Sequence, residues 1–306
     1  MKPYNRTVRA VLLLSAALAV SAPARAQDLR RIATGGADTI AVSVTGRGAP
    51  VVIVPGLLGS RYAFRHVEAA LAAGGHRVII ADPLGTGESS RHGRSDYSLE
   101  AQARRVVAVM DSLGVDDAIL VCHSVGASIC LRLALFAPDR VQGVVSVNGG
   151  PDERAATSGL RTAMKFAPLI RIMGSRSMRG RIRDGLHDSA GPDATWVTED
   201  AVAAYTAPFA DLGATLDALK GMASAREPEP LASRLSRLAA PVVLLVATGN
   251  PDGGVAPADV ATLSQLPDLR IDSIAGAGQY IQEEKPGAIV AAVRSLRDRL
   301  AALGSR

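Results

Sequence analysis

Aromatic side chains make up only 3% of the 306 residues, with a single tryptophan. That is too few for the stacking platforms of single-strand nucleic-acid binding, despite an isoelectric point near 9.5. Cysteine is nearly absent: Cys122 and Cys130 stand alone. Two thiols cannot make a disulfide framework, and this pair, on a strand end and the helix that follows it, reads as buried and free. No histidine or cysteine pair has metal-ligand spacing, and neither a phosphate loop nor a dinucleotide fingerprint is present, so neither a metal nor a nucleotide cofactor is implied.

What is abundant is apolar: 48% hydrophobic against 21% charged residues, the balance of a globular chain with a large core. The basic excess sits at the start. Residues 1–26 hold Lys2, Arg6 and Arg9, an apolar run from Ala10 to Val20, and Ala24-Arg25-Ala26, the pattern of a secretory signal peptide cleaved before Gln27. That run is short for a membrane span, and no later apolar run reaches such a length without charges. With four of the 34 basic residues in this leader, 30 remain against 29 acidic ones. The electrostatic case for nucleic acid disappears, and the expected location is the periplasm or outside the cell.

Two strand patterns, Thr39 to Thr45 and Val51 to Val54, flank a Gly/Pro turn and read as a hairpin feeding a sheet. Alternation follows: helix Tyr62 to Ala73, strand Arg77 to Ala81, helix Leu99 to Leu113, strand Ala118 to Cys122, helix Val125 to Phe136, strand Val141 to Val147. Buried strands separated by helices predict an α/β architecture, a mostly parallel sheet with helices on both faces. From Pro151 to about Pro230 the alternation stops in favour of short helices. It resumes with strands Val242 to Ala247 and Leu269 to Ile274 and a last helix, Pro286 to Leu303. The expected organisation is therefore a leader (1–26), a first core part (27–150), a helical insertion (151–230) and a second core part (231–306).

The most informative stretch is Ile119-Leu-Val-Cys-His-Ser-Val-Gly-Ala127, where a strand runs into a helix through a serine among small residues. Such a turn pushes the Ser124 hydroxyl above the sheet, with helix-start N–H groups beside it. Pro55-Gly56-Leu57-Leu58-Gly59-Ser60 follows one strand and Asp82-Pro83-Leu84-Gly85-Thr86-Gly87 another. These three elements, in this order, resemble the α/β-hydrolase superfamily, in particular its lid-bearing, esterase- and lipase-like members, over nearly all of residues 36 to 303. The resemblance implies a lid after the sixth strand, Ser124 as nucleophile in an elbow whose usual first glycine is Cys122, and an oxyanion hole made by the N–H groups of Leu57 and Val125.

The same resemblance exposes a gap. Where the family places its histidine this chain has Gln279, which hydrogen-bonds but cannot take a proton as a general base. Where the acid belongs the chain offers Asn250, with Asp252 two residues on; Asn148 and Asp152 occupy an alternative place after the sixth strand. Of the five histidines, His123 adjoins the serine but leaves the elbow in another direction, and His187 lies in the insertion.

The early insertion, residues 152–186, carries eight basic residues against three acidic, interleaved with Met, Phe, Leu and Ile. Such a segment suits either a solvated face whose apolar side covers the pocket or contact with anionic lipid. The expected partner in the pocket is a small apolar or acyl-type ligand. Two functions stay open: a serine hydrolase of esters or similar acyl bonds with an incomplete triad, and a non-hydrolytic binding protein or lyase- or cyclase-type enzyme on the same fold.

Overall fold

The computed structural model describes residues 28–304 except 58 and 251–252; the leader expected over 1–26 lies outside them. Eight strands form one sheet: β1 (Asp28–Gly35), β2 (Asp38–Gly46), β3 (Ala49–Val54), β4 (His76–Ala81), β5 (Ala118–His123), β6 (Val141–Val147), β7 (Val242–Ala247) and β8 (Leu269–Ile274). Their spatial order is β1-β2-β4-β3-β5-β6-β7-β8. From β4 onward every pairing is parallel, whereas β1–β2 and β2–β4 are antiparallel. Strand β5 is buried along its whole length, as a central strand covered on both faces must be.

Helices α1 (Arg65–Ala73) and α10 (Pro286–Gly304) pack together on one face, and α2 (Leu99–Ser112) and α3 (Val125–Phe136) on the other. Apolar residues surround α3, and nine of its twelve residues are buried, the composition of a helix with no solvent face. Between β6 and β7 lie α4 (Ser158–Lys165), α5 (Ala167–Ser189), α6 (Glu199–Thr206) and α7 (Leu212–Ser224). At 23 residues α5 is longer than the short helices expected there. Two short helices, α8 (Pro257–Leu263) and α9 (Ile281–Glu284), flank β8.

Two expectations are corrected. The hairpin is β1–β2, not β2–β3: β4 inserts between β2 and β3, pairing Thr45 with Val78 on one side and Val51 with Val78 on the other. Sequence missed β1 because only Ile32 of its eight residues is buried, so it has no apolar alternation. Nor are the cysteines free. Cys122 and Cys130 form a disulfide, their Cα atoms 6.6 Å apart, inside the range a disulfide bridges. The chain reverses at the end of β5, so α3 runs back along that strand and lays Cys130 over Cys122.

Candidate functional site

The strand-to-helix turn is as tight as the sequence implies. Ser124 has φ 51° and ψ −127°, one of two described non-glycine residues with positive φ, and such a backbone costs on the order of 1–3 kcal/mol that its surroundings must hold in place. They do so with two hydrogen bonds. The Ser124 N–H donates to the Val147 carbonyl at 3.0 Å, and the Ser124 carbonyl accepts from Ala127 N–H at 2.9 Å. A side chain at Gly126 would come within 2.5 Å of the Val54 carbonyl oxygen, so only glycine lets α3 start this close to β3.

The loop that carries Gly56 and Leu57 is in contact with the elbow: a Cβ on Gly56 would stand 3.1 Å from the Ser124 Cβ. Among the described residues the N–H groups of Leu57 and Val125 have no protein acceptor, and the Ser124 hydroxyl has no hydrogen-bond partner. A nucleophile-type hydroxyl and two free amide donors are therefore assembled at one place.

Gln279 does reach this neighbourhood, through its backbone. Its carbonyl accepts from His123 Nε2 at 2.9 Å and from Asn148 Nδ2 at 3.2 Å, and its N–H donates to the Ser189 carbonyl at 2.8 Å. Asn250 Nδ2 donates to the carbonyls of Asp188 at 2.7 Å and Ala190 at 2.8 Å. Both candidate triad positions thus grip the end of α5. The fit is close enough that a Cβ on Gly278 would lie 2.4 Å from the Ser189 oxygen and from the Ala190 carbonyl carbon. Glu284 adds a further clamp, accepting from the N–H groups of Gly191 (2.8 Å) and Gly278.

The other candidates separate. Asp252 lies outside the described residues. Asn148 is buried at the end of β6 with φ 46°, its Oδ1 accepting from Ala247 N–H and its Nδ2 donating to the carbonyls of Gly278 and Gln279. It fixes the Gln279 loop to β6 and β7, a role that spacing alone does not reveal. Asp152 is held by Ser128 on α3, whose Oγ accepts from the Asp152 N–H at 2.7 Å. Burial, reinforced by nearby Asp259, pushes the Asp152 carboxyl up to about 6. No described hydrogen bond or ion pair joins it to Gln279 or Ser124.

None of the five histidines is hydrogen-bonded to Ser124. His187 is exposed on α5, while His66 and His92 are exposed elsewhere. His123 is buried, and desolvation pushes its pKa down to about 4, so the ring is neutral. Because a carbonyl only accepts, Nε2 carries the proton toward Gln279. Nδ1 faces Gly56, whose Cβ would come within 2.9 Å of it. The ring also joins an aromatic cluster: Tyr280 lies 5.8 Å away, followed by Trp196, Tyr205 and Tyr62. Three of the five tyrosines and the one tryptophan are thus gathered on the His123 side of the elbow.

Space beside the elbow is small. A cavity lined by Leu57, Thr86, Val125, Ile129, Ala155 and Met222 has about 20 Å³, room for a water molecule and little else. A separate cleft of about 530 Å³ is lined by charged side chains that include Arg61, Asp82 and Arg91, and it excludes Ser124. Arg61 pairs there with Asp82 at 2.7 Å, yet burial still pushes the Asp82 carboxyl up to about 6. Among the described residues no cluster of His, Cys, Asp and Glu could hold a metal ion.

A family model described as alpha/beta hydrolase fold matches residues 49–171, which contain the Gly56–Leu57 loop, the elbow and the start of the insertion. The chain has the α/β-hydrolase fold. It is 38% identical over 117 residues to a candidate carbamate hydrolase of Azorhizobium caulinodans, covering 38% of this chain and 43% of that protein. It is 37% identical over 103 residues to epoxide hydrolase B of Mycobacterium tuberculosis, covering 33% of this chain and 29% of that protein. The chain thus matches less than half the length of these relatives. Solved α/β structures superpose over much more of it. Epoxide hydrolase CorEH matches with a TM-score of 0.76 at 20% identity, over 90% of this chain and all of that one. An esterase from Thermogutta terrifontis matches with a TM-score of 0.70 at 20% identity, over 89% and 99%. At such identities the likeness concerns the fold.

Proposed function

We propose that this α/β-hydrolase-fold chain is an exported protein that binds a small ester or acyl-type ligand at Ser124 and hydrolyses it slowly, because the elbow and oxyanion donors persist without a general base. One observation carries the reading: the Ser124 hydroxyl stands on its positive-φ turn with no hydrogen-bond partner among the described residues, and by the family resemblance Gln279 is in the place where a base is expected. The N–H groups of Leu57 and Val125 polarise a bound carbonyl and stabilise negative charge on its oxygen. Ser124 must then attack as a neutral hydroxyl, a poor nucleophile, with water receiving the proton. In the serine protease subtilisin, loss of the histidine costs about 10⁶-fold in turnover while binding and the oxyanion hole retain about 10³–10⁴ over water.

The curated relatives named for carbamate and epoxide hydrolysis support a hydrolytic ancestry for the fold. The leader-like residues 1–26 and the Cys122–Cys130 disulfide support export, since such bonds persist in oxidising compartments. In this reading the insertion acts as a lid: about 20 Å³ beside the elbow admits no acyl ligand until the insertion segments that line it, at Ala155 and at Met222 on α7, move. The small cavity also supports a second reading, a protein that binds and does not hydrolyse.

Labelling with a fluorophosphonate probe tests the proposal. Slow, Ser124-dependent labelling, abolished in Ser124→Ala, is expected. Rapid stoichiometric labelling at neutral pH would show that an effective base is present. N-terminal sequencing of exported protein should begin at Gln27, and an intact Met1 on soluble exported chain would remove the export part.

A further inference from the structure

Three of the six exposed large apolar side chains among the described residues stand together where α4 passes into α5: Phe166 (59% exposed), Leu169 (56%) and Ile172 (83%). Steps of three place successive side chains on neighbouring positions of one helical face. This is not the face that covers the core. Met164 and Ala167 are buried, and Ile170, Met178 and Ile182 pack against the main apolar cluster from the other side. The segment is therefore apolar in two directions, and only one of them is satisfied within the fold.

The rim of the unsatisfied face is cationic. Lys165 adjoins Phe166, and Lys220 on α7 shares a shallow groove with Pro168, Arg171 and Ile172. Arg171 is paired with Asp217 at 3.1 Å. Lys165 and Lys220 have no ion-pair partner among the described residues. No described helix is long and apolar enough to cross a membrane.

We propose that this face docks on a lipid bilayer bearing anionic headgroups, with Phe166, Leu169 and Ile172 entering the boundary between headgroups and acyl chains and Lys165 and Lys220 meeting lipid phosphates. A second copy of the chain is the weaker occupant, because a two-fold contact through this patch would bring like-charged rims together. The proposal does not depend on the chemistry at Ser124.

Flotation of the full purified chain with phosphatidylcholine vesicles, with and without phosphatidylglycerol, tests it. Binding is expected on the phosphatidylglycerol vesicles and should weaken as salt is raised. Substituting Phe166, Leu169 and Ile172 together by serine should reduce it about tenfold or more. Lys165→Glu with Lys220→Glu should remove the preference for the anionic lipid while leaving the thermal midpoint in place. The proposal is overturned if the folded chain fails to float with anionic vesicles, or if the triple-serine variant floats as well as the parent. It is equally overturned if light scattering shows a dimer that the triple substitution dissolves.

Discussion

Breaking the Cys122–Cys130 bond tests the architecture beneath the elbow directly. The bond closes a loop of eight residues' separation, from the end of β5, through Ser124, into the second turn of α3. In the chain-entropy account a loop of this size restricts the unfolded ensemble by about 2.6 kcal/mol at 25 °C. For a chain this long that corresponds to a fall of about 5 °C in the thermal midpoint. Both cysteines are fully buried, so a phosphine reductant should act mainly on the transiently opened chain. Reduction leaves both sulfur atoms to pack, whereas Cys122→Ala with Cys130→Ala also empties space in the core and should cost more. Differential scanning fluorimetry on oxidised, reduced and double-alanine protein measures the three states, and thiol titration in denaturant without reductant counts the bond. Two free thiols in that titration, or equal midpoints for oxidised and reduced chain, would refute the reasoning.

Asn250→Asp replaces an amide donor facing two carbonyls by a carboxylate that repels them. It should loosen residues 188–191 at a cost of about 1–3 kcal/mol, seen as faster amide hydrogen exchange confined to that segment. Gln279→His alone should raise turnover of an activated ester only modestly, since no described carboxylate stands ready to fix the tautomer; a wild-type-like serine hydrolase rate in this single variant would contradict the geometry. Between pH 4 and 6.5 the unfolded chain holds a proton on His123 that the folded chain refuses, because the buried ring titrates near 4. Its contribution to stability therefore rises with pH across that window, by up to about 3 kcal/mol, and the difference in urea midpoint between parent and His123→Gln should follow the same curve.

Much of this was written in local pattern. Fully apolar stretches such as Ala118–Cys122 announced central strands, and Ser124 between Cys122 and Gly126 announced the turn, because burial and close approach act on neighbouring residues. Strand β1 was not legible, since an edge strand with one buried side chain carries no alternation to read. The disulfide was missed for a related reason: the distance between Cys122 and Cys130 depends on which way α3 leaves the elbow, a tertiary fact absent from their spacing. Asn148 and Asn250 showed only as amides where carboxylates were sought. That they hold backbone carbonyls of the 278–279 loop and of the end of α5 emerges only once remote segments meet.

The grip on the end of α5 carries a consequence for how this chain could change. By the family resemblance Gln279 and Asn250 stand where a base and an acid are expected; Asn250 fastens the end of α5 through its side chain and Gln279 through its backbone N–H. On that reading, a change of Asn250→Asp toward a working triad loosens the fastening of residues 188–190 at the same step. The order of changes therefore matters: Gln279→His leaves the backbone bond to Ser189 in place, whereas Asn250→Asp meets a folding penalty.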